Sequence, residues 1–239
     1  MKIKDLFELY KEFIKENPES NQIFADSGMV NDFQKLEKGF FPLGSGILTE
    51  HSEIEIAEIE EGGTLVLGND FGTVSYLKNK CIGGKEVNSK TIDNLKKLDL
   101  KLENTFFSNL FVGLRDDGNN DGTAMTKLVI KRKQEYIDFC FDFLKIQLDF
   151  IKPKIVVCLG VEVGKNLATK HYEIFSNFSQ KDLPLTRMYE DVLDKRYIVD
   201  TNDKFYGARR FVLIPHPSFA HISWNKNDIK PKIEDVLRS

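Results

Sequence analysis

Three short polar motifs hold the residues of this chain whose side chains could do chemistry. Gly-Asn-Asp at 68–70 follows a short apolar run, Asn109 lies inside another, and His-Pro-Ser at 216–218 follows a third. A carboxylate can activate water, an amide can donate and accept hydrogen bonds, and a histidine can stabilise developing charge. Because the carboxyl ends of parallel strands line one crevice, we expect the three motifs to converge on a single ligand.

Hydrophobic periodicity predicts the elements that must position these motifs. Continuous apolar runs predict buried strands at 64–67, 106–112, 155–159 and 211–214. Helical spacing predicts helices at 3–14, about 91–98, 133–151 and 160–167, while 68–73 is expected to be a loop. Strands that alternate with helices predict an α/β fold, a three-layer sandwich whose central, mostly parallel four-stranded sheet is flanked by helices.

The bulk composition indicates a soluble globular protein. Of the 239 residues, 41% are apolar and 30% are charged, with a net charge of -3. We expect one domain over 1–239, with 1–60 as a helical and loop extension packed on it, and a monomer. Only local basic clusters, at 127–133 and 209–210, could attract a polyanion, although a solvated charge run is the simpler interpretation.

Cysteine usage and hydropathy indicate the compartment. The three cysteines are widely spaced and form no C-x-x-C pair, which fits a reducing cytosol. The charged N-terminus does not resemble a signal peptide, and no apolar run is long enough to span a membrane. We therefore expect a cytoplasmic protein without a membrane partner.

Two further patterns do not predict a cofactor. Residues 160–165 invite comparison with a phosphate loop, but the spacing is one residue short and Asn166 replaces the magnesium-binding Ser or Thr. Residues 117–122 match the opening of a calcium loop, but Leu128 stands where the bidentate glutamate belongs. We expect no metal.

Taken together, the motifs resemble those of the uracil-DNA glycosylase superfamily, an α/β fold with a central parallel sheet. The similarity covers about 64–221. Gly-Asn-Asp at 68–70 resembles the opening of the water-activating motif, and 107–115 resembles the strand with the uracil-reading Asn. His-Pro-Ser at 216–218 matches the start of the DNA-engaging loop.

The resemblance implies a DNA glycosylase that flips uracil or a related damaged base out of DNA and hydrolyses its N-glycosidic bond, as in base excision repair. The implied catalytic residues are Asp70, which activates water, and His216, which donates to the base. Asn109 would read the pyrimidine edge. Without the resemblance, each of these residues also has a structural interpretation, as a capping carboxylate, a backbone-bonded amide and a turn residue.

The resemblance also implies binding residues around this centre. Backbone amides of Gly68 and Asn69 would lie near the base, and Phe71 or Tyr76 would stack on it unless both are core residues. The implied DNA contacts are Ser218 and His221 on phosphate and Phe219 as a wedge in the vacated stack.

Departures from the family pattern leave the activity open. Gly72 replaces a bulky Tyr that rejects thymine in the most uracil-selective family, so the pocket could admit other bases. An iron–sulfur cluster is not expected, because Cys140 matches one ligand position but Gly113 occupies another, and Cys140 is predicted to be a buried helix residue. The alternatives are a catalytically weak or inactive nucleic-acid or nucleotide-binding protein of the same fold, and a nucleoside or nucleotide hydrolase.

Overall fold

The computed structural model describes residues 3–19, 22–23, 29–30, 61–70, 94–95, 97–98, 100, 105–115, 134–179, 197–217 and 229–238. Its helices are α1 (Ile3–Glu16), α2 (Gln134–Ile151), α3 (Val161–Lys170), α4 (Tyr172–Phe175) and α5 (Ile229–Arg238), with a 3-10 turn at Ser176–Ser179. Its strands are β1 (Met29–Val30), β2 (Thr64–Asp70), β3 (Thr105–Phe111), β4 (Leu114–Arg115), β5 (Ile155–Leu159), β6 (Ile198–Phe205) and β7 (Ala208–Ile214).

The fold is α/β, with a mostly parallel sheet in the strand order β3-β2-β5-β7-β6. Strand β5 pairs in parallel with both β2 and β7, so that Cys158 lies opposite Leu67 on one side and Leu213 on the other. Strand β6 pairs with β7 antiparallel, and β1 forms a separate two-residue ladder with β4. The parallel core of the sheet therefore centres on β5.

The prediction of four strands is wrong, because the sheet has five. The additional strand, β6, falls where the sequence predicted no regular element. Its buried residues Val199 and Thr201 alternate with the exposed Asp200 and Asn202, and the register shifts between Asp200 and Phe205. A strand at the sheet edge with one buried face has no continuous apolar run, so the apolar-run criterion missed it.

The predicted helices and strands otherwise agree with the described elements, with small shifts at their ends. The helix predicted at 133–151 is α2, and the helix predicted after Gly160 is α3. The loop predicted at 68–73 is wrong for its first three residues, since β2 continues to Asp70. Much of the helix predicted at about 91–98 lies outside the described residues.

The chain forms two compact units, with β2 divided after Gly68 and β3 divided after Phe106. In the first unit, α1 packs on α2 through aromatic contacts. The Tyr10 ring lies edge-on to Phe143 with centroids 4.4 Å apart, and the Phe13 ring lies 4.9 Å from Phe139. The amphipathic spacing of α1 thus places its apolar side against α2.

The second unit contains the start of β2 together with β5, β6 and β7 and helices α3 to α5. Residues 156–159 and 211–214 are buried without alternation, so both faces of β5 and β7 are covered. Phe211 of β7 lies edge-on to Phe175 and Phe205, with centroids 4.8 and 5.6 Å away. No helix in the described part of the chain is long and apolar enough to cross a membrane.

We predict that the Phe211 cluster supplies much of the stability of the second unit. Phe211→Ala should lower the free energy of unfolding by about 3–5 kcal/mol, because it removes a fully buried ring and leaves a cavity. Tyr172→Ala, at a side chain that is 63% exposed, should change it by less than about 0.5 kcal/mol. Urea denaturation of both variants measures this, and equal losses in the two would contradict it.

Candidate functional site

The carboxyl ends of β2, β5 and β7 lie at one edge of the sheet, because the three strands run parallel. At this edge Gly68 follows Leu67, Gly160 follows β5, and His216 comes two residues after β7. From β2 the chain goes to β3 on one side of β2, and it later returns to β5 on the other side of β2. Such a reversal is a topological switch point, where open α/β sheets bind their ligands.

His216 is held at this edge by its neighbours in the second unit. The Gly160 N–H donates to the Ile214 carbonyl oxygen at 2.7 Å. The Asn94 side-chain amide donates to the Pro217 carbonyl oxygen, also at 2.7 Å. His216 itself is half-buried between the buried residues Pro215 and Pro217. The histidine therefore lies on a turn that is fixed by hydrogen bonds on both sides.

Gly160 is required by the backbone and by the proximity of the histidine. Its φ of +88° and ψ of 159° belong to a region that only glycine adopts readily. A Cβ atom at this position would lie 3.3 Å from the His216 Cβ. The pattern that invited comparison with a phosphate loop thus contains a glycine that makes room for His216.

Asn69 and Asp70, from the predicted motif at 68–70, lie in the first unit. Both are half-buried at the end of β2, and the Asn69 Nδ2 donates to the Asp70 Oδ2 at 3.2 Å. The sequence assigned Asn69 only a backbone contact with the base. The structure gives its side chain a different role, which is to orient one oxygen of the Asp70 carboxylate.

Asn109 lies in the first unit on β3, between the buried residues Ser108 and Leu110, and is itself half-buried. Successive side chains of a strand point to opposite faces, so Asn109 lies on the face opposite Ser108. The Ser108 hydroxyl donates to the Gln147 Oε1 at 2.6 Å, which attaches the Ser108 face to α2. The amide of Asn109 therefore points away from α2.

Helix α2 also holds the residue that follows β3. The Tyr136 hydroxyl donates to the Val112 carbonyl oxygen, and the Val112 N–H donates to the Cys140 Sγ at 3.5 Å. Gly113, with φ of +96°, then turns the chain into β4. Sequence reasoning did not select Tyr136 or Gln147 for a role. The sequence feature that could have identified both residues is a polar group on the apolar face of a long helix.

The two titratable groups of this contact are neutral. Burial raises the pKa of the Cys140 thiol to about 12, although hydrogen bonds from Val112 and Tyr136 oppose the shift. Burial also raises the pKa of Tyr136 well above its usual value, with smaller contributions from Cys140 and from the charge of Asp70. The prediction that Cys140 is a buried helix residue is confirmed.

The described residues account for half of the predicted site. Gly68 and His216 belong to the second unit, and Asn69, Asp70 and Asn109 belong to the first. The other predicted residues lie outside the described part of the chain: Phe71, Tyr76, Ser218, Phe219 and His221. The convergence of the three motifs stays a prediction. Within the described ranges, no group of three His, Cys, Asp or Glu side chains could hold a metal ion.

Comparison with protein-family models and with curated proteins finds no match for this chain. The fold and the residues at the carboxyl edge define an α/β protein with a candidate ligand site at a topological switch point.

We predict that Gly160 determines the position of His216. Gly160→Ala should lower the free energy of unfolding by about 1–3 kcal/mol through backbone strain, and should shift the His216 ring resonances in NMR spectra. The matched control is Gly62→Ala, which is also strained at φ of +78° but contacts Lys154 instead of a histidine. Unchanged His216 resonances in Gly160→Ala would contradict the prediction.

We predict that stability falls in alkali partly through Cys140. The unfolded thiol loses its proton near its usual pKa of 9.0, whereas the folded thiol keeps it to about 12. Because the unfolded state then binds fewer protons, stability should fall by roughly 1 kcal/mol per pH unit within this window. Cys140→Ser, which cannot titrate there, should show a shallower fall in urea denaturation from pH 8 to 10.5. Identical pH dependence in both proteins would exclude this role.

Proposed function

We propose that this chain is a DNA glycosylase with a uracil-DNA glycosylase-like three-layer fold, which hydrolyses the N-glycosidic bond of uracil or a related damaged base. The observation that carries the proposal is that Asp70 ends β2 and His216 comes two residues after β7, and that both strands pair in parallel with β5. The resemblance of the three motifs to that superfamily supports the same assignment.

In the proposed reaction, Asp70 prepares the water. The Asn69 amide donates to one carboxylate oxygen and so orients the Asp70 carboxylate, which would accept a proton from water. The water oxygen bonds to C1′ of the sugar while the bond from C1′ to the base nitrogen breaks. The electron pair of that bond leaves with the base, and the negative charge of Asp70 stabilises the cationic sugar.

The departing base needs groups that read it and that stabilise its negative charge. The Asn109 amide has a donor and an acceptor, which complement the O4 and N3–H of uracil. His216 would donate a hydrogen bond to the base O2, where negative charge develops. Its fixed turn beside Gly160 favours this role, since a preorganised donor needs no rearrangement during the reaction.

The first test is cleavage of single- and double-stranded oligonucleotides that contain uracil, with thymine-mismatch, hypoxanthine and xanthine substrates in parallel. Wild-type protein should produce abasic sites, and Asp70→Ala should slow their formation by about 10²–10⁴-fold. Asn109→Ala should also slow it and should weaken discrimination between bases. Asp149→Ala, which removes an exposed carboxylate of α2, is the matched control and should leave the rate unchanged.

Absence of product from every substrate with folded wild-type protein would contradict the proposal, as would full activity of Asp70→Ala. Deoxyuridine and deoxyuridine monophosphate in the same assay test the alternative of a nucleoside or nucleotide hydrolase. Cleavage of these small substrates without cleavage of oligonucleotides would favour that alternative.

A further inference from the structure

Basic and aromatic residues occur together at the amino edge of the sheet in the second unit. Lys152 and Lys154 precede β5, Tyr206 precedes β7, and Arg209 is its second residue. All four side chains are exposed. These four residues form what we call the amino-edge patch. Because the parallel strands run from this edge toward Gly160 and His216, the patch lies at the other end of the strands from the candidate site.

The side chains of the two lysines of the patch pack against glycines. A Cβ at Gly62 would lie 3.5 Å from the Lys154 Cε, and a Cβ at Gly207 would lie 2.9 Å from the Lys152 Cγ. Both glycines have positive φ angles, +78° and +76°. Packing of the lysine stems on bare backbone restricts where the ammonium groups can move, so less conformational entropy is lost when they bind an anion.

Backbone hydrogen bonds join the segments that carry these residues. The Lys154 backbone N–H donates to the Gly63 carbonyl oxygen at 3.0 Å. The Arg209 backbone N–H donates to the Pro153 carbonyl oxygen at 3.2 Å. Asp200 neutralises the neighbouring Arg210 through an ion pair of 2.6 Å between Oδ1 and Nε. The cations of the patch are Lys152, Lys154 and Arg209, in a chain whose net charge is -3.

Tyr206 is an unusual residue for its turn. Phe205 pairs with Ala208, so Tyr206 and Gly207 form a two-residue hairpin loop in which both φ angles are positive, +50° and +76°. Such turns favour asparagine followed by glycine, and a bulky residue at positive φ is strained. Tyr206 is nevertheless 36% exposed, with its ring edge-on to Phe205 at 4.9 Å.

Lys152 is strained in the same way. Its φ of +45° follows the last residue of α2, a position at which helices commonly place glycine. Two neighbouring positions that favour glycine or asparagine thus carry a cation and an aromatic ring. Strain of this kind clusters at ligand sites, and basic side chains together with an exposed aromatic ring are a combination that binds single-stranded nucleic acid.

We propose that the amino-edge patch is a binding site for single-stranded nucleic acid, in which Lys152, Lys154 and Arg209 contact phosphates and a base stacks on Tyr206. The proposal does not depend on the proposed glycosylase activity, because the site is at the other end of the strands and performs no chemistry. The ligand is recognised by its phosphodiester charge and its exposed base faces, which DNA and RNA share.

The test is fluorescence anisotropy with labelled 20-nucleotide oligo(dT) and oligo(U), neither of which contains deoxyuridine, titrated with the full chain at several salt concentrations. We expect a Kd of roughly 1–100 μM near physiological salt for at least one of the two. Lys154→Ala should weaken binding and reduce the slope of log K against log salt by about 0.7, the contribution of one phosphate contact. The control Lys11→Ala, at an exposed lysine of α1, should leave the slope unchanged.

Tyr206→Asn separates stacking from a structural role. It should weaken binding about tenfold without lowering the thermal midpoint, because asparagine suits the turn better than tyrosine does. Tyr172→Asn, at a more exposed tyrosine, is the matched control and should leave binding unchanged. Wild-type protein that binds neither oligonucleotide would overturn the proposal. Patch variants that bind like wild type, or that lose affinity only for anionic phospholipid vesicles, would overturn it too.

Discussion

The two parallel pairings of β5 are the constraint on which the candidate site depends. Leu67 and Leu213 flank Cys158 in register, and residues on both faces of β5 are buried. A slip of one residue in either pairing would turn buried side chains to the opposite face, so the apolar packing fixes the register. The same register brings Gly68, Gly160 and the turn of His216 to the carboxyl edge together.

In the first unit, polar contacts between β3 and α2 have the corresponding role. The Ser108 hydroxyl and the Gln147 amide are buried and hydrogen-bonded to each other. Removal of either side chain would leave the other without this partner and would lower the free energy of unfolding by about 1–3 kcal/mol. This hydrogen bond, with the contact of Tyr136 to Val112, sets which face of β3 meets the helix. It therefore also sets the face on which Asn109 lies.

Some of this organisation could be predicted from the sequence, and the physical reason is burial. Strands β2, β3, β5 and β7 have apolar runs, and a polar residue within or after such a run, such as Asn109 or His216, needs an explanation. Strand β6 and the strand order could not be predicted by the same criterion, because an edge strand alternates and order depends on tertiary contacts. The hydrogen bond from Asn69 to Asp70 likewise left no periodic signal.

Backbone positions with positive φ angles occur at both edges of the parallel sheet, but the residue types that occupy them differ. At the carboxyl edge, the positive φ of Gly160 is adopted by a glycine, without strain, and the absent side chain gives space to His216. At the amino edge, Lys152 and Tyr206 adopt positive φ angles despite their side chains. Natural proteins break local sequence preferences mainly at functional or strained sites, so Lys152 and Tyr206 are candidates for a functional role. Periodicity cannot reveal such residues, because φ angles are set only when the turns form.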